Sequence, residues 1–248
     1  MAYLSFISDE NLEKHIAKTL TSYKETLKKI DLAKFNDNVV DPIKLTFDSI
    51  VYKKEIKTII EEEIARQRDK TNTNAIGYFH QNLFSYFRNC EVPQHGFDII
   101  FNTGKNKVYV ELKNKHNTMN SSSSQKTYTR MLNQIVNDNT CECFLVEVLA
   151  RKSQNIVWRV SLDSQSMANE RIRRVSIDKF YEMITGDKNA FVNLCKVLPT
   201  VVRKIVNETL ANDREQDTVF QELKQKDNDL LKALYLLAFK TYEGFDSF

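Results

Sequence analysis

The sequence predicts an α/β fold: a mixed sheet flanked by helices, with further helices added at the N- and C-terminal ends. Three observations carry this. Residues 95–113 alternate like two strands around a polar turn, amphipathic helical stripes stand before and after them, and the apolar run 143–150 reads as a buried strand. The core order is therefore helix, strand, strand, helix, strand.

The first helix is predicted over 9–30, where Leu12, Ile16, Leu20, Tyr23 and Leu27 recur at helical spacing and Ser8 or Asp9 can cap the start. A second begins at Asp41-Pro42 and runs to about residue 66 on Ile50, Ile56, Ile59, Ile60 and Ile64. Its acidic run Glu61-Glu62-Glu63 fans around the axis, which predicts a solvated face and no metal site. Over 73–87, Ile76, Phe79, His80, Leu83, Phe84 and Phe87 form a core-facing stripe directly ahead of the hairpin. After the hairpin, residues 117–124 are short and polar, and predict a loop that ends in an N-cap at Ser123 or Ser124. Tyr128, Met131, Leu132 and Ile135 then mark the next helix. Ser176 can cap a helix over 177–185 that Gly186 ends, and 201–240 reads as two more helices without evident chemistry.

The chain has 248 residues but only 5 Gly and 3 Pro, and no linker-like stretch divides it. It reads as a single domain over 1–248, with a helical lobe at 1–70, the core at 73–186 and C-terminal helices at 187–248. Lys plus Arg exceed Asp plus Glu by 36 to 33, a balance that permits nucleic-acid binding without demanding it. No apolar run is long enough to span a bilayer, and the start Met-Ala-Tyr-Leu-Ser-Phe-Ile lacks the regions of a signal peptide, so a cytosolic protein without membrane contact is expected. Cys90, Cys141, Cys143 and Cys195 lack zinc-site spacing and read as small hydrophobes or free thiols. Ser-His-Asp order, a Gly-rich phosphate loop and a dinucleotide fingerprint are all missing, so no nucleotide cofactor is expected.

The hairpin carries the chemistry. Alternation puts Glu111 and Lys113 on one face of the second strand and turns Val108, Val110 and Leu112 into a core. A two-residue turn at Gly104-Lys105 sets Asp98 opposite Glu111 and Gly96 opposite Lys113, and a bulge would shift this by one residue. Facing carboxylates destabilise a sheet unless a cation lies between them. Mg2+ would be such a cation, held by Asp98, Glu111 and the Leu112 carbonyl. Lys113 would orient or deprotonate the attacking water, or steady the charge on a phosphate. Asp98, Glu111 and Lys113 thus imply a magnesium-dependent nuclease site; the alternative is an amphipathic hairpin with solvated charges.

That core order, with an acid on the first strand and Glu-x-Lys on the second, resembles the nuclease superfamily named for its Pro-Asp and Asp/Glu-x-Lys motif. The run Val-Glu-Leu-Lys-Asn-Lys-His-Asn-Thr-Met-Asn-Ser-Ser-Ser-Ser-Gln-Lys-Thr-Tyr, with the later Arg-Ile-Arg-Arg-Val-Ser-Ile-Asp-Lys-Phe-Tyr, is similar to the type II restriction endonucleases that cut GGNCC or GGWCC sites. The similarity covers about residues 74–200. It implies a restriction-endonuclease-like fold, hydrolysis of double-stranded DNA with Mg2+ to leave 5′-phosphates, and a twofold homodimer on a palindrome.

It also turns the residues after the catalytic strand into DNA-binding candidates: Lys115, His116, Asn117, Asn120, Ser121, Ser122, Ser123, Ser124 and Lys126. Arg171, Arg173 and Arg174 are candidates as well, because arginine is the commonest partner of guanine in the major groove. If that stretch is a strand, Arg171 and Arg173 share a face. Two departures stand out. Phe97 replaces the superfamily proline, and residues 73–87 hold no acid for a second metal, only His80 and Gln81 as polar substitutes. A repair or recombination nuclease without sequence preference, or a non-catalytic DNA-binding relative, are the competing expectations.

Overall fold

The computed structural model describes residues 2–116, 118–162, 165–209, 215–242 and 245. The chain divides into two compact units, residues 1–20 with 76–209 and residues 21–75 with 210–248.

The first unit holds a six-stranded sheet. Its strands are β1 (Cys90–Glu91), β2 (Ile99–Asn102), β3 (Lys107–Lys115), β4 (Glu142–Leu149), β5 (Asn155–Leu162) and β6 (Gln165–Ser176), in the order β1-β2-β3-β4-β6-β5. β1, β2 and β3 pair antiparallel, β3 with β4 and β4 with β6 parallel, and β5 with β6 antiparallel. The expected mixed sheet is thus present, with β1 and the β5–β6 hairpin added to the predicted core. Helix α5 (Ser121–Asn137) makes the crossover between β3 and β4, as parallel neighbours require.

Alternation sorts the side chains onto two faces. Val108, Val110, Phe144, Val146, Val148 and Val175 are buried in one core, together with Leu12 and Ile16 of α1 (Asp9–Leu27), Phe180 and Tyr181 of α6 (Ile177–Thr185), and Leu194, Val201 and Ile205 of α7 (Ala190–Thr209). On the other face Cys143, Leu145, Ile172, Trp158 and Val160 pack under Tyr128, Met131 and Ile135 of α5. The predicted α5 stripe is the one that the fold buries.

The β2–β3 hairpin has the predicted register: Ile99 pairs with Val110, and the ladder runs to Asn102 opposite Lys107. Thr103 and Asn106 close the turn through the Thr103 N–H and the Asn106 carbonyl at 3.0 Å. Gly104 takes φ +85 at the first of the two turn positions, where a type II′ turn needs glycine. The antiparallel ladder ends at Ile99 and Val110, before both pairs that the sequence set opposite one another, Asp98 with Glu111 and Gly96 with Lys113.

Helix boundaries differ more. The helix expected over 41–66 is two, α3 (Pro42–Tyr52) and α4 (Ile56–Leu83), broken where Lys53 adopts a left-handed φ of 52°. The stripe at 73–87 lies largely on α4, which runs through residues 73–83 before a 3-10 turn, Phe84–Tyr86. Glu61 and Glu62 are exposed as expected, but Glu63 is buried against Arg66 at 2.6 Å from its Nε. Asn120, rather than a serine, caps α5: its side chain accepts from the Ser123 N–H at 2.8 Å, so Ser121–Ser124 form the first turn of the helix. Asparagine is at least as good a cap as serine, and the earlier one wins. Helix α6 has the predicted bounds, with Gly186 at φ 73 ending it.

The second unit contains α2 (Leu32–Phe35), α3, α8 (Val219–Lys226) and α9 (Leu230–Ala238). Its own core joins Phe35, Leu45, Ile60, Val219, Leu223 and Ala233. Within it Arg68 binds Asp217, donating through Nη1 at 2.8 Å and Nη2 at 2.6 Å. Among the described residues no helix is long and apolar enough to cross a membrane.

Candidate active site

The parallel register carries the site from strand to strand. Glu111 of β3 stands level with Leu145 of β4, and Leu145 with Arg174 of β6; Lys113 stands level with Glu147. Since paired residues share a face, Glu111, Lys113, Glu147 and Arg174 all lie on the α5 side of the sheet.

Asp98 sits one residue ahead of β2 and off its ladder: its N–H donates to the Val110 carbonyl at 2.9 Å, one residue away from the pairing opposite Glu111 that the sequence predicted. Its carboxylate accepts the Leu112 N–H at 2.8 Å, which brings it against the strand that bears Glu111. Burial and, next, the charge of Glu111 push the Asp98 carboxyl above its ordinary range, against the pull of the Leu112 N–H, Lys113 and Arg130. Two carboxylates therefore crowd one another in a partly dry place. Glu111 is 9% exposed; Lys113 Nζ donates to its Oε1 at 2.7 Å, and the Arg130 guanidinium donates to its Oε2.

His80 and Gln81, the polar substitutes on the preceding helix, part company. Gln81 Nε2 reaches the Asp98 carbonyl at 3.4 Å. His80 does not join the site: it packs against Phe79, and burial drives its imidazole down to about 4.

Beside Lys113 lies a second cluster. Glu147 is 1% exposed and holds the Arg174 guanidinium on one oxygen, while His116 Nδ1 stands 3.1 Å from the other. Nδ1 also lies 2.7 Å from Arg174, and it can serve only one of these partners at a time, as donor to the carboxylate or acceptor from the guanidinium. A cavity of about 40 Å³ between Lys113, Lys115, Ser124, Glu147 and Arg174 opens here. A larger cleft, about 800 Å³, lies in the second unit among residues such as Lys34, Lys44, Arg66 and Arg68, and contains none of the candidate residues.

Of the predicted DNA contacts, His116 and Arg174 join the site face. Lys115, Asn120, Ser121, Ser122, Ser123 and Lys126 are exposed, and Ser124 is half-buried; Asn117 lies outside the described residues. Arg173 alternates away from that face, and Arg171 lies where the β5–β6 register shifts. Arg171 donates to the Asn139 carbonyl, and Arg173 to the Asn155 carbonyl at 2.8 Å. Sequence reasoning missed Arg130 and Glu147. Only Glu147 left a signal, a charge inside an apolar strand; Arg130 lies on the polar part of an amphipathic helix, where arginine is unremarkable.

The type II restriction enzyme Sau96I of Staphylococcus aureus is 29% identical over 232 residues, 90% of this chain and 89% of the relative. The type II restriction enzyme Eco47II of Escherichia coli is 26% identical over 222 residues, 85% and 91% of the two chains. The Eco47II restriction endonuclease family matches residues 4–207, a span that contains the whole sheet and every element that bears the acidic pair, and the chain belongs to that family.

Proposed function

We propose that the chain is a magnesium-dependent type II restriction endonuclease acting on double-stranded DNA at a GGNCC or GGWCC palindrome, as a homodimer, and leaving 5′-phosphates. The observation that carries the reading is the meeting of Asp98 with Glu111 and Lys113 on one face of the sheet. The donor set fits the ion, since hard carboxylate oxygens of Asp98 and Glu111, with the Leu112 carbonyl, are what Mg2+ prefers. When bound, Mg2+ supplies electrostatic stabilisation to the charge that builds on the transferred phosphoryl group. Lys113 orients the attacking water and steadies the same charge through its ammonium. Lys115 and Lys126, exposed around the start of α5, suit the DNA backbone, and Arg174 and His116 are held by Glu147 in position to meet the duplex.

Plasmid digestion with Mg2+ tests this. Cuts confined to GGNCC or GGWCC with 5′-phosphate ends are expected, and no cuts with Asp98→Asn or Glu111→Gln although both still bind DNA. Activity of either variant within tenfold of the parent would remove these residues from the chemistry. Cleavage at many unrelated sequences would favour a repair or recombination nuclease.

A further inference from the structure

The carboxylate pair has two counter-charges, and one lies outside the Glu-x-Lys pattern. Arg130 extends from α5 over the pair: its Nη2 meets Glu111 Oε2, its Nη1 donates to the Gly96 carbonyl at 3.2 Å, and its guanidinium carbon stacks 4.6 Å above the centre of the Phe97 ring. Phe97 is in turn packed against Tyr109 at 5.3 Å between ring centres. The aromatic side chain that replaces the superfamily proline thus forms the shelf on which the guanidinium lies.

Glu111 therefore has Lys113 on one oxygen and Arg130 on the other, and Asp98 Oδ2 accepts from the Leu112 N–H. An incoming cation on Glu111 meets one of these two donors on whichever oxygen it binds, and its positive charge opposes theirs. Arg130 is the more exposed, at 41% of its side chain against 31% for Lys113, and it comes from a different element. We infer that Arg130 keeps the cation's place on Glu111, occupying the carboxylate in its absence and competing with the divalent ion for it. This rests on the reading of Asp98 and Glu111 as metal ligands. Arg130 then sets the cation concentration at which the site fills.

Calorimetric titration of the DNA-free protein with Ca2+ tests the idea without relying on cleavage. Arg130→Met, which keeps an unbranched apolar stem over Phe97, is expected to bind Ca2+ about tenfold more tightly than the parent, since a contact charge pair is removed from the ligand. Arg130→Lys keeps the charge but cannot span Glu111 and Gly96 together, and is expected to fall between the two; it also serves if the Met variant does not fold. Lys107→Met controls for remote charge. It lies four residues down the same strand, about 13 Å from Glu111 at ~3.3 Å per residue, beyond the ~8 Å screening length of physiological salt, and is expected to change affinity less than about twofold. Equal affinities for the parent and Arg130→Met, weaker binding by Arg130→Met, or equal shifts in Arg130→Met and Lys107→Met would overturn the role of Arg130 alone. Absence of Ca2+ binding in the parent and in every variant, or binding undiminished in a Glu111→Gln protein, would instead remove the metal reading and this inference with it.

Discussion

Glu147 is the residue that most constrains the site without belonging to its motif. It is buried on β4, with Arg174 on one oxygen and His116 beside the other. Removing one partner of a buried ion pair costs more than the pair itself contributes, because a desolvated charge stays behind. Glu147→Ala is therefore expected to lower the urea-derived stability by about 3 kcal/mol and to reduce cleavage through misplaced Arg174 and His116. Full stability with full activity would show the cluster to be ornamental. A second prediction concerns His80, whose imidazole is held down to about 4 chiefly by burial and next by His15. The unfolded chain protonates such a ring near 6.5 while the folded one does not, so its contribution is complete above 6.5 and declines as pH falls toward 4. A loss on the order of 2 kcal/mol is expected by pH 5, and His80→Leu, compared by urea melts across that range, should flatten the slope. Legibility at this scale followed sequence distance. Asp98, Glu111 and Lys113 belong to one hairpin and could be read from its alternation, whereas Glu147 meets His116 across 31 positions and Arg130 meets Glu111 across 19, contacts that exist only after the sheet and α5 have assembled.

Elements were legible where local chemistry fixes their ends. Gly186 ended α6 as expected, and Gly104 supplied the turn that sets the hairpin register. Because Gly104 sits at φ +85 with open space where a Cβ would stand, the strain of a side chain there is conformational and not steric against neighbours. Gly104→Ala is expected to cost about 1 kcal/mol, and a register slip, if it followed, would carry Glu111 to the opposite face and abolish cleavage. Thermal melts alongside cleavage assays separate the two effects. Asn120→Ala is expected to cost a similar amount, about 1 kcal/mol, through the start of α5. Helix ends without such signals were not readable. Nothing in Tyr52-Lys53-Lys54-Glu55 marks the break between α3 and α4, since it comes from a lysine in a left-handed conformation, and nothing at residue 73 marks a start because α4 passes straight through it. β1 and β5 were missed, and β6 was read only conditionally around residues 171–174, for another reason: two residues are too few to show a period, and β6 gains its place from pairing with β4 and β5.

At the scale of the whole molecule, the number of chains on one duplex and the side chains that meet its bases decide how a site is cut. On the site face, the described residues of one chain supply one Asp98/Glu111 pair, so cutting both strands of a palindrome calls for two chains about a twofold axis. Light scattering on cleavable duplex in Ca2+ is expected to give two chains per duplex, and one chain per duplex would contradict the homodimer. Arg171 and Arg173 spend their guanidiniums on the Asn139 and Asn155 carbonyls, and Arg173 faces away from Glu111. Lys115 and Lys126 are exposed. A residue that reads guanine by a bidentate contact loses about 1–3 kcal/mol on the cognate site when replaced by Ala and little on other DNA. A phosphate contact loses alike on both, and lowers the salt slope of binding by about one unit. Titrating GGNCC and scrambled duplexes at several salt concentrations is expected to place Lys115→Ala and Lys126→Ala in the second class. If Arg171→Ala and Arg173→Ala also weaken both duplexes equally, or only lower stability, these two arginines are framework, and discrimination falls to Arg174, His116 and the first turn of α5. A cognate-selective loss in either variant would instead mean that its guanidinium leaves its carbonyl partner for the base when DNA binds.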